Sequence, residues 1–117
     1  MYQQYFEKSQ KYSNKKITLY GITFDSQKEA YRYLYLRDLE KRGLITKLEL
    51  QKEFELIPSQ KENGKVIERA VKYIADFTYY DDTGTYIVED TKGFKTKEYI
   101  IKRKLMLFMH NIKIKEL

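Results

Sequence analysis

The sequence predicts an α/β domain built on a mixed four- to five-stranded sheet flanked by two main helices. Three features predict it. Residues 26–43 and 96–111 carry helical patterns with apolar residues along one side. Residues 45–58 alternate apolar and polar positions, and residues 66–92 hold two segments dense in Val, Ile, Tyr and Phe around the turn Asp81-Asp82-Thr83-Gly84. The 117 residues contain no repeat and no linker, which suits one core and not two.

Taken in order, residues 1–16 are polar, rich in lysine and tyrosine and without a period; they read as a flexible basic arm ahead of a single domain at 17–117. Residues 16–26 form an extended segment that turns at Gly21. Ser26 is placed to cap the first helix, Glu29 three residues on completes a capping box, and Gly43 is placed to stop it. Ala30, Tyr33, Leu34, Leu36 and Leu39 supply its apolar face. Leu48, Leu50, Phe54 and Leu56 then alternate along a strand ended by Pro58. Residues 59–65 read as a polar loop, 66–80 as one strand and 85–92 as its return. Gly93 breaks the return strand. Residues 96–111 follow as a helix, basic on one side and apolar on the other, and 112–117 as a short alternating strand.

Composition removes several chemistries. There is no cysteine, which excludes disulfides and thiolate–zinc sites, and the single histidine, His110, suits neither His-rich metal centres nor Ser-His-Asp catalysis. The opening residues lack the apolar block of a signal peptide, and the run Leu105–Met109 is too short to span a bilayer; the expectation is a soluble, cytoplasmic protein. Net charge is +6, and between residues 94 and 117 seven basic residues stand against two acids. Such segregation suits either a polyanionic partner or simply solvated faces; Lys97, Lys102, Arg103 and Lys104 on the second helix are the candidate contacts for such a partner.

The strand at 85–92 poses a chemical question, because its aromatic and β-branched start runs into Glu89, Asp90 and Lys92. A buried charge costs several kcal/mol unless it is paired or bound to metal. A three-residue loop, Asp82-Thr83-Gly84 with Gly84 left-handed, pairs Asp81 with Thr85 and Asp76 with Asp90. A two- or four-residue loop would bring Glu89 alongside Asp76 instead. Lys92 shares a strand face with Asp90, roughly 6.5–7 Å further along. Facing carboxylates destabilise a ladder unless something offsets them. A divalent cation would do so; a strand-end cap at Asp76, with Asp90 paired to Lys92 or Arg103, is the structural alternative. Glu29 lies on the sheet-facing side of the first helix, where it serves equally as a cap, and Gln51 is a polar residue on a strand face.

The order of these pieces is itself informative. "FDSQKEAYRYLYLRDLEKRG", "LELQKEFELIP", "RAVKYIADFTYYDDTGTYIVEDTKGFKT" and "KRKL" together resemble the PD-(D/E)XK nuclease superfamily. The likeness is to its small phage and prophage endonuclease-like branch, related in pattern to Holliday-junction resolvases and a transposon-end endonuclease subunit. It spans about residues 20–110, and departs from the superfamily pattern at Ala75, in place of a proline, and at Asp90, in place of a glutamate. The resemblance implies a restriction-endonuclease-like core with the site at one sheet edge. It also implies Mg²⁺-dependent hydrolysis of DNA, with Mn²⁺ as a substitute, directed by DNA structure (a branch, flap or end) rather than sequence. Asp76 and Asp90 would ligate the metal with the Thr91 carbonyl and Glu29. Lys92 would activate the attacking water, and Gln51 would be an accessory polar group. Cutting both strands would need a homodimer, and the setting implied is a phage- or prophage-encoded protein in a bacterial host cell. The alternative is a non-catalytic nucleic-acid-binding or phage regulatory protein that retains the nuclease fold.

Overall fold

In the computed structural model, which describes residues 15–117, the chain runs β1 (Ile17–Leu19), β2 (Ile22–Phe24), α1 (Gln27–Lys41), β3 (Thr46–Ile57), β4 (Gln60–Glu62), β5 (Lys65–Glu68), β6 (Val71–Tyr80), β7 (Tyr86–Asp90), α2 (Lys97–His110) and β8 (Lys115–Glu116). The mixed sheet has four strands in the order β3-β6-β7-β8, with β8 parallel to β7 and the other pairs antiparallel. With its two helices this is the α/β architecture the sequence predicts. The arm expected at 1–16 falls outside the described residues except for its last two positions.

Local chemistry sets the helix ends. The Glu29 N–H donates to Ser26 Oγ at 3.2 Å, and Gly43 follows the Arg42 cap at φ +77°. Only half of the expected capping box forms. Glu29 Oε2 accepts from the backbone N–H of Asp25 at 3.1 Å, rather than closing back onto Ser26. In α2, Thr96 Oγ1 accepts from the Tyr99 N–H, and Asn111 ends the helix in the left-handed region at φ 55°. His110, at the last turn, bonds the Glu55 carbonyl at 2.8 Å and so ties α2 to β3.

Residues 59–65 are not a loop, and 66–80 are not one strand. Strands β4 and β5 form a separate hairpin around Asn63 and Gly64, both at positive φ (52° and 78°), the primed turn that suits the twist of paired strands. Every residue of this hairpin is exposed. It has no core face, so alternation could not reveal it; the Asn-Gly pair was its one local signal. Arg69 and Ala70 then separate β5 from β6.

Two apolar clusters build the core. Phe24, Ala30, Tyr33, Leu36, Ile45, Phe77 and Tyr79 pack around α1. Leu56, Tyr73, Ala75, Val88, Tyr99, Met106 and Ile114 pack around α2. On β7 the neighbours Ile87 and Val88 join different clusters, as opposite strand faces should. On β6, however, Tyr73 and Ala75 join one cluster while Phe77 and Tyr79, of the same parity, join the other. On β3, Leu50 and Phe54 divide likewise. The pleat therefore turns over between Ala75 and Phe77, at Asp76. The matching position on β3 is Gln51, whose φ of 53° is the left-handed conformation that non-glycine residues avoid.

Candidate active site

The β6–β7 hairpin has the register that the three-residue loop requires. Phe77 pairs with Glu89, Thr78 with Val88, Tyr79 with Ile87 and Tyr80 with Tyr86. The Asp81 N–H donates to the Thr85 carbonyl at 2.9 Å, and Gly84 stands at φ 83°. Phe77–Glu89 is the last pair of the ladder, and just beyond it Asp76 lies next to Asp90 and accepts from Thr91. Glu89 faces away from them, toward α1. The two acids come from the inner strands β6 and β7, at the level where β7 ends.

Each aspartate is fixed through one oxygen. Asp76 Oδ2 accepts both the N–H and the Oγ1–H of Thr91, each at 2.8 Å. Asp90 Oδ2 accepts the Tyr73 hydroxyl at 2.6 Å. Asp90 is 1 % exposed, and its Oδ1 is buried without a hydrogen-bond partner. The nearest cation to that atom is Lys92, with Nζ 3.8 Å away. Lys92 also stands 5.3 Å from the Tyr99 ring centre, a cation–π distance. A buried carboxylate oxygen with no donor is costly, and a cation bound to it would offset that cost.

The electrostatics express the same crowding. Burial pushes the Asp90 carboxyl up from 3.8 to about 6; Asp76 adds to the rise, while the Tyr73 hydroxyl and Lys92 oppose it. Burial also pushes Glu29 up from 4.5 to about 8, and the hydrogen bond and charge of Asp76 drive it further, against the Asp25 N–H. Glu29, Asp76 and Asp90 are thus coupled in a chain with Asp76 in the middle. The charge of Asp76 favours the protonated form of both outer acids.

Carboxylate oxygens are hard donors of the kind Mg²⁺ takes, and the orphaned Asp90 Oδ1 fits a ligand atom. As the side chains stand, no three acidic or histidine groups among the described residues are gathered closely enough to hold a metal. Asp76 and Asp90 form the pair, and Glu29 adjoins Asp76. Gln51 falls opposite Asp76 in the β3–β6 register, between the pairs Leu50–Phe77 and Lys52–Ala75, but it is exposed.

The basic residues of α2 do not make one surface. Lys102 reaches back to Glu98 at 3.7 Å, whereas Arg103 bonds Glu116 of β8 at 3.1 Å and is a structural tie. Lys104 is exposed and lines, with Arg103, a different cavity from the one Lys102 lines. Consecutive residues on a helix point in different directions, so "KRK" cannot be a single patch. Lys97 is exposed at the first turn. Sequence reasoning missed Tyr73 and the Thr91 hydroxyl. Strict alternation puts Tyr73 on the face opposite Asp76, and only the turnover of the pleat brings it to Asp90.

Among the described residues no helix is long and apolar enough to cross a membrane. Searches of curated proteins and of solved structures return no match. A family profile described as "Protein of unknown function (DUF1064)" matches residues 9–116, nearly the whole chain, and the protein therefore belongs to the DUF1064 family.

Proposed function

We propose that this protein is a Mg²⁺-dependent endonuclease that hydrolyses DNA phosphodiester bonds, in the manner of the PD-(D/E)XK enzymes it resembles. The observation that carries the reading is the adjoining pair Asp76 and Asp90, with Asp90 Oδ1 buried and unpartnered and the Lys92 ammonium 3.8 Å from it.

Asp76, Asp90 and the Thr91 carbonyl would hold the ion, with Glu29 beside Asp76. When bound, Mg²⁺ supplies a more acidic water and neutralises phosphate oxygens as charge builds. The protein's own groups do the rest. Thr91 and Tyr73 hold the two aspartates in fixed rotamers, so no reorganisation is needed as the substrate arrives. Lys92, on the chain just beyond Asp90, orients the attacking water and offsets charge on the phosphorane. Glu29, pushed up to about 8, can carry or release a proton near neutral pH. Lysines of α2, but not Arg103, meet the backbone, which positions a substrate without reading its sequence. One such domain offers one site, so a double-strand cut would take two copies.

The test is a cleavage panel of single strand, duplex, flap and four-way junction, each with Mg²⁺, Mn²⁺ or EDTA. Metal-dependent cutting that Asp90→Asn abolishes supports the reading. Binding without cutting under every metal condition would replace it with the non-catalytic nucleic-acid binder.

A further inference from the structure

A cavity of about 310 Å³ opens beside the acid site, between β6, the segment after β7 and the first turns of α2. Two of its walls are also groups of the site: Tyr73 donates to Asp90, and Lys92 stands at Asp90 Oδ1. The cavity is therefore a lateral extension of the place where a phosphodiester would lie. Lys72 and Lys102 add positive charge to its rim, against Glu98 alone. Both lysines have acidic neighbours, Lys72 with Glu53 at 3.3 Å and Lys102 with Glu98 at 3.7 Å. Solvent-exposed pairs of this kind are worth only about 0–1 kcal/mol, so a phosphate can draw either ammonium away.

The cavity also has an apolar part. Phe94 is 80 % exposed, two residues after Lys92, and Ile74 beside it is 49 % exposed. An aromatic face held open next to three ammonium groups is the combination that binds unpaired nucleotides. Bases stack on the ring whatever their identity, and the cations follow the backbone. A base inside a duplex has both faces already stacked, and this cavity lies at the small end of the range for ligand sites, about 300–1,000 Å³, with room for one ring-bearing group.

We infer that this cavity receives an unpaired nucleotide of single-stranded DNA, its base against Phe94 and its phosphates at Lys72 and Lys102, next to the phosphodiester held at Asp76 and Asp90. The inference rests on the reading of the acid pair as the phosphodiester site, and it narrows the substrate class to DNA with a single-stranded end or flap. It requires no cleavage to be seen.

The chain contains no tryptophan, so Phe94→Trp places a lone indole at the cavity mouth. Titrated in EDTA with a short oligothymidylate, its emission should be quenched saturably, and an equal length of duplex should leave it unchanged. In parallel, Phe94→Ala should weaken binding of a labelled single strand by about fivefold or more, the lower end of the roughly 1–3 kcal/mol that one stacked base contributes. Its affinity for duplex should stay within about twofold, since phosphate contacts dominate there. Quenching by neither probe, or equal weakening toward single strand and duplex, overturns the inference. A failed nuclease reading looks different: the wild type would then cut no substrate with Mg²⁺ or Mn²⁺, or Asp90→Asn would leave its cutting unaffected, whatever the indole emission of the Phe94→Trp variant does.

Discussion

Arg32 of α1 closes two hydrogen bonds, 2.8 and 2.6 Å, onto Glu89 of β7, a carboxylate with no exposed surface. The Tyr79 hydroxyl donates to the same group, and Lys115 stands 3.9 Å from it. Arg32 is one helical turn after Glu29, and Glu89 immediately precedes Asp90. The pair therefore fixes the helix that carries one acid of the site against the strand that carries another. A carboxylate taken out of water needs donors at both oxygens, and the guanidinium fork supplies them.

Breaking that pair from one side should be costly. Arg32→Ala leaves Glu89 buried with weaker partners, and the expected loss of folding stability is about 3–5 kcal/mol. Replacing both residues by methionine should recover most of it, because no uncompensated charge remains. Urea denaturation of the single and double variants checks this. A double variant no more stable than Arg32→Ala would mean that the fork's shape, and not its charge, holds α1 to β7.

Tyr73→Phe isolates the support of Asp90. The ring still packs near Phe54 and Tyr99, so the fold should hold, but Asp90 loses the donor that fixes its Oδ2. Partners of this kind are worth about 10–100-fold in metal affinity or activity. Cleavage rate measured against Mg²⁺ concentration should shift to higher metal by a factor in that range.

The metal-free protein should lose stability as pH rises. Asp90, raised from 3.8 to about 6, and Glu29, raised from 4.5 to about 8, keep protons in the folded state that the unfolded chain has released. Folding then takes up protons, so the contribution is fully present below about pH 4 and is lost in turn through about pH 6 and pH 8. The urea midpoint in EDTA should fall from about pH 5 to about pH 8.5, and Glu29→Gln should flatten the upper part of that fall. Added Mg²⁺ should restore the midpoint at the alkaline end. A midpoint that climbs with pH would mean the acids are not coupled as described.

Lysines and arginine on α2 should separate in their effects. Lys102→Gln and Lys104→Gln should each reduce the slope of log affinity against log salt by about 0.7–0.9 if each contacts one phosphate. Arg103→Gln should instead lower thermal stability through the lost Glu116 bond and leave the salt slope nearly unchanged.

By itself the sequence determined what is local in origin. Ser26 and Gly43 mark the ends of α1, because capping needs only a side-chain oxygen and a residue free to take positive φ. Asp81-Asp82-Thr83-Gly84 marks the turn, and its glycine suits the three-residue loop; the sequence left a two- or four-residue loop open, and the folded hairpin settled the register at Tyr80–Tyr86 through Phe77–Glu89. Proximity of Lys92 to Asp90 follows from their spacing. Tertiary structure alone decided what lies between elements. It turned the pleat over at Asp76 and Gln51, which brought Tyr73 to Asp90 against strict alternation. It gave Glu89 to Arg32, 57 residues away in the chain. It split Lys102, Arg103 and Lys104 among different neighbours, and it left Phe94 open beside the site. The physical reason is one of range: caps and turns are settled within a few residues, whereas the partner of a buried charge depends on which surfaces the packed helices and sheet bring together.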